Sequence, residues 1–186
     1  MAQPIGLAPI GHAFWYSVIG RRLIMALLTT LFRFAVGCYF VKAGSDKMGR
    51  PSAFWNAIMG YRLVGARAAR YMASLIPPLE FFAGLMLASN VLPFLFASII
   101  LVLLLVFSVA IVWALSRGTS ADCGCGGAGG PLSPRLVARN AVLGLMLVPV
   151  LVGGMGSPRS QDLVVSVVAL TAVLVIAVLR NRAMVT

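Results

Sequence analysis

Five long apolar runs, separated by short polar and mostly basic stretches, set the pattern of this chain. They are Leu23 to Val41, Tyr71 to Ala88, Val91 to Ser116, Val137 to Gly153 and Leu163 to Leu179. Each is close to the roughly 20 residues that an α-helix needs to cross hydrocarbon. The third is uncharged throughout, whereas the first carries Arg33 near its middle, and the second carries Glu80 and the pair Pro77-Pro78. The fourth opens on Arg139-Asn140 and contains Pro149. Prolines inside a membrane helix free backbone carbonyls, so the second span is expected to kink against its neighbours. Between the first two runs, Lys42 to Arg70 is basic, and after Pro51 the residues Phe54, Trp55, Ile58, Met59 and Leu63 recur at helical spacing. That spacing predicts an amphipathic helix on the membrane surface. The pattern as a whole predicts an all-α polytopic transmembrane helical bundle, with about four to five spanning helices plus that surface helix.

Composition agrees: 61% of the 186 residues are hydrophobic, 10% are charged and the mean hydropathy is +1.01, which excludes an ordinary soluble domain. The net charge of +11 lies in loops between apolar runs, where it sets topology beside anionic lipid and does not signal nucleic acid. Residues 1–22 form a mildly apolar lead, 23–180 a single bundle and 181–186 a short tail. The lead holds His12 and Phe14-Trp15-Tyr16 and ends at Arg21-Arg22. Its aromatic cluster suits an interfacial anchor, and a signal peptide is not expected because the charges follow the lead. His12 is the single histidine and has no ligand or acid–base partner near it in the chain.

Counting residues gives depths. Arg33 lies ten residues before Ala43 and Glu80 ten residues after Arg70. At a rise of about 1.5 Å per residue, both are expected about 15 Å in from the same face, where they can pair. The pair would hold the first two spans together, or bind a polar group such as a quinone carbonyl.

The chemistry-bearing stretch is the polar island Ala121-Asp122-Cys123-Gly124-Cys125-Gly126-Gly127. Two thiols one residue apart meet in a disulfide only if the chain bends, which Gly124 permits, and a strained small ring is an oxidising one. Arg139 and the free amides of the next helix would stabilise a thiolate, while Asp122 would oppose it. Two spans separate this loop from the basic first loop, so both lie on one face. Cys38, five residues before Ala43, is expected about 7 to 8 Å inside that face, where it is a candidate resolving thiol or a packing residue. Three cysteines and a distant histidine make a poor zinc set, so no metal is expected.

The ordered set Arg33, Gly37, Ala43-Gly44, Lys47, Phe54, Tyr61-Arg62-Leu63, Pro78-Leu79-Glu80, Gly84, Asp122-Cys123-Gly124-Cys125-Gly126 and Arg139-Asn140 resembles the methylamine utilisation protein MauE family. It is also similar to the wider DoxX-like redox-associated membrane proteins, and it covers the chain from Arg33 to Val148. The resemblance implies a multi-pass protein of the bacterial inner membrane associated with maturation of methylamine dehydrogenase, alongside a thioredoxin-like, MauD-like partner and a disulfide-containing client. The family often has an aromatic residue just after the second cysteine, where this chain has Gly126-Gly127. That departure bears on a partner-docking contact and leaves the thiols in place.

Orientation pulls two ways. With the cysteine loop inside, Lys42, Lys47, Arg50, Arg62, Arg67, Arg70, Arg117, Arg135, Arg139, Arg180 and Arg182 face Arg21, Arg22 and Arg159 across the membrane, as the positive-inside rule prefers. Disulfide formation in an exported client calls for the opposite face. The expected function is a membrane thiol–disulfide component in which Cys123 and Cys125 cycle, Cys38 is available to resolve, and a quinone is the candidate electron acceptor. The alternatives are a non-catalytic assembly or chaperone subunit and, more remotely, a small-molecule transporter.

Overall fold

The computed structural model describes residues 10–118 and 132–153, with Thr171, Val175, Ile176 and Leu179 beyond them. Asp122, Cys123, Cys125 and most of the last predicted span lie outside the described residues. Five helices follow in order: α1 (Ile10–Gly49), α2 (Pro51–Gly60), α3 (Ala66–Ala88), α4 (Pro93–Ser116) and α5 (Pro134–Gly153). Four are long and apolar enough to cross a membrane, namely α1 from Leu23 onward, α3, α4 and α5. This is a multi-pass, all-helical membrane protein, as the hydropathy pattern predicts.

Two boundaries differ from expectation. The first helix does not stop at Val41 but runs through the basic stretch to Gly49. No proline interrupts Lys42 to Met48, the cost of Gly44 is offset by its close packing on α3, and Lys42 pairs with Asp46 one turn on at 2.8 Å. Pro51 supplies the stop, because the residue before a proline is pushed out of helical geometry, and it then opens α2 at its first turn. At the other end, α3 begins five residues early, at Ala66, after extended Gly65. Pro77 and Pro78 leave α3 as one continuous helix and are themselves buried.

The principal contact joins α1 to α3, which run antiparallel with their backbones touching. A Cβ on Gly37 would come 2.7 Å from the carbonyl oxygen of Gly84, and one on Gly84 would come 2.6 Å from that of Gly37. One on Gly44 would meet the amide nitrogen of Phe81 at 2.6 Å and the carbonyl oxygen of Pro77 at 2.7 Å. Lipid tails are as apolar as leucine, so membrane helices gain little by hiding side chains from them, and close approach through small residues gives the dispersion energy instead. Beside this pair, α4 packs on both α3 and α5, and Val36, Phe40, Leu87, Ile100, Leu104 and Leu147 form a common core. The surface helix α2 turns Phe54 and Ile58 onto Ala69 and Ala73 of α3 and leaves Ser52, Ala53 and Asn56 exposed. A hairpin closes α3 to α4, with Asn90 and Leu92 at positive φ and the amide of Val91 donating to the carbonyl of Met86.

Because the atoms opposing Gly44 are backbone, Gly44→Leu forces the helices apart and is expected to lower stability by about 3 kcal/mol or more. Gly49→Ala, where nothing lies within 4 Å, serves as the control. Thermal unfolding in detergent reads the difference, and equal melting of the two variants would contradict the contact.

Candidate functional site

Lys47 lies two residues before the end of α1, yet it is only 6% exposed. Its ammonium donates to both carboxylate oxygens of Glu80, at 2.5 and 2.6 Å, and Glu80 is 1% exposed. The rings of Phe54 and Phe107 stand 5.3 and 4.9 Å from the same nitrogen. Side chains of all four helices α1 to α4 therefore meet at one cation.

Register explains the choice of partner. Gly37 opposes Gly84, and Lys47 lies ten residues beyond Gly37, or about 15 Å along the axis. Glu80, four residues before Gly84 on an antiparallel helix, lies about 6 Å the same way. The remaining gap of about 9 Å closes because side chains lean toward the N-terminus of their own helix, which in an antiparallel pair tilts these two toward each other.

This corrects the expected pairing of Arg33 with Glu80. Arg33 is four residues before Gly37, so it lies about 6 Å in the opposite direction, near the end of α3, and about 12 Å from the level of Glu80. The depth count fails because it took the two helix ends as level, whereas the Gly37–Gly84 register puts Gly49, the end of α1, about 18 Å along the axis and Ala66, the start of α3, about 27 Å along it. Arg33 is half-buried, and its Nη1 has no hydrogen-bond partner among the described residues.

Other predicted residues do gather here. Arg139 comes in from α5 with its guanidinium 5.6 Å from the ring of Tyr39, and its Nε is buried without a hydrogen-bond partner among the described residues. Arg139, Asn140, Lys47, Glu80, Tyr39 and Phe107 border a cavity of about 20 Å³, room for about one water molecule. The amide of Asn140, 4% exposed, donates to Ser108 Oγ at 3.2 Å and ties α5 to α4. Two basic residues and one acidic residue thus border this cavity, and Arg139 belongs to the first turns of the helix that follows the cysteine-bearing stretch.

Cys38 is exposed on α1, next to the Gly37 crossing. The longer helix puts it eleven residues from Gly49, about 16 Å in rather than 7 to 8 Å. Lys47 is the residue that charge counting misses, because it was assigned to a solvated loop. A signal was present: Val36, Phe40, Ala43, Gly44 and Lys47 recur every three or four residues and all are buried, so the apolar stripe of α1 ends on a lysine.

Comparison with known proteins adds the following. The family described as "Methylamine utilisation protein MauE" matches residues 25–153. A protein named methylamine utilization protein MauE from Paracoccus denitrificans is 30% identical over 134 residues, which cover 70% of this chain and 72% of that protein. No solved structure matches.

Removing one partner of the buried pair strands the other charge. Lys47→Met or Glu80→Met alone is expected to cost about 3 to 5 kcal/mol, whereas the double substitution restores most of it. Unfolding of the three variants in detergent checks this, and a double variant no better than either single one would show that the charges are not coupled.

Proposed function

The chain belongs to the methylamine utilisation protein MauE family, and we propose that it serves methylamine utilisation as a thiol–disulfide redox component of the bacterial inner membrane. Cys123 and Cys125 exchange a disulfide with a thioredoxin-like partner during maturation of a disulfide-containing client. The observation that carries this reading is a sequence of two thiols one glycine apart, tethered between the end of α4 and the start of α5, the helix that brings Arg139 beside Lys47 and Glu80. Arg117 and Arg135 flank the loop and are exposed, and with Arg139 they favour the thiolate over the thiol.

The exchange balances without an added oxidant. One loop thiolate attacks a disulfide of the partner and releases a partner thiolate, leaving a mixed disulfide. The second loop thiol then displaces the partner, so the loop gains a disulfide and the partner leaves as a dithiol with two electrons and two protons. In reverse, the loop oxidises the partner's counterpart. Cys38 is the third thiol of the proposal. Its place about 16 Å from the end of α1 makes it the slower one, available only to a group that reaches that far along the exposed face of the helix.

In cells carrying Cys123→Ser with Cys125→Ser, the thioredoxin-like partner is expected to accumulate in one redox state, seen as a shift in alkylation mass. Cys38→Ser is expected to leave that state nearer to wild type. If the double variant keeps the partner at its normal oxidation ratio, the redox reading fails and a non-catalytic assembly role takes its place. A membrane-impermeant thiol reagent, with and without prior reduction, reads the face of the loop.

A further inference from the structure

An open groove of about 450 Å³ runs between α2 and α3 on one side and the C-terminal half of α4 on the other. Its volume falls within the range of small-molecule pockets, about 300 to 1,000 Å³. Its wall is apolar and includes Phe54, Ile58, Met72, Ile76, Phe107 and Trp113, and among the described residues Lys47 is its single charged lining residue. The Lys47 ammonium uses two of its three protons on Glu80, and the two rings beside it, Phe54 and Phe107, line the groove as Lys47 itself does. Trp113, stacked under Arg117 at 4.3 Å, stands near the end of α4.

We infer that this groove binds a membrane quinone, with the ring among the aromatic side chains and one carbonyl accepting a hydrogen bond from Lys47. A phospholipid acyl chain would cover the same walls but would bring no acceptor to the ammonium. A water-soluble substrate would find almost no polar wall. A carbonyl-bearing planar ring on an apolar tail satisfies both the walls and the ammonium, and the site lies on Lys47 rather than on Arg33. The choice of a redox-active ring rests on the thiol–disulfide reading. Two thiols that close to a disulfide release two electrons and two protons, the amount that converts one quinone to its hydroquinone. The bound quinone is thus the acceptor that returns the loop to its disulfide form after the loop disulfide has oxidised a partner dithiol and itself become a dithiol.

The test uses the full chain in phosphatidylcholine nanodiscs, with Trp15→Phe and Trp55→Phe so that Trp113 alone emits. Decylubiquinone is titrated after the thiols have been alkylated, so binding is measured apart from any redox activity. Saturable quenching of Trp113 is expected. Two variants should each raise the half-saturation concentration by about tenfold: Ala110→Phe, which fills the groove, and the charge-neutral pair Lys47→Met with Glu80→Met, which removes the carbonyl's donor. Quenching that rises without saturation, as from quinone merely dissolved in the lipid, overturns the proposal. So does saturable quenching relieved equally well by decylbenzene, which has the ring and tail without a carbonyl and would mark the groove as a general lipid site. The alkylation assay on the partner's redox state stands apart, so loss of the thiol reading and loss of the quinone site are separate results.

Discussion

Backbone contact between α1 and α3 is the constraint on which the rest of the structure depends. No side chain fits at Gly37, Gly44 or Gly84, so the helices can slide very little along each other. That fixed register decides which polar groups meet inside the bundle. It brings Lys47 level with Glu80 and carries Arg33 away to the far end of α3. A membrane interior has no water to compensate for a poor match, so a register set by packing becomes an electrostatic decision.

The pair that results is more than a tie between two helices. Its cation also touches rings from α2 and α4, and α5 adds Arg139 and Asn140 at the edge of the same small cavity. The glutamate shares that cavity with two basic residues, Lys47, which bonds it directly, and Arg139, which comes from the first turns of the helix that follows two thiols in the sequence.

Much of this architecture was legible in the chain. The apolar runs, the surface helix after Pro51 and a buried ion pair at Glu80 follow from spacing and from the cost of charge in hydrocarbon. What was not legible is where a helix ends. Lys42 to Gly49 reads as a polar loop by charge and by its two glycines, but tertiary packing of Ala43, Gly44 and Lys47 overrides that weak propensity and no proline interrupts the helix before Pro51. That error of two turns gave Cys38 too shallow a place, and counting from helix ends as if they were level gave Glu80 the wrong cation. Tertiary register was equally hidden, since three glycines in two helices do not announce which faces which. The thiol loop itself is read from sequence alone, because Cys123 and Cys125 lie outside the described residues.

The Lys47–Glu80 pair also has a consequence for how the protein is made. Lys47 leaves the ribosome before Glu80, and its counter-charge does not exist until α3 has followed, 33 residues later. An unpaired ammonium is held at the watery boundary by its hydration, so the last turns of α1 cannot settle to their final depth alone. The buried place of the last turn of α1 therefore depends on a residue supplied by α3, and the two helices close as a hairpin whose inner charges cancel.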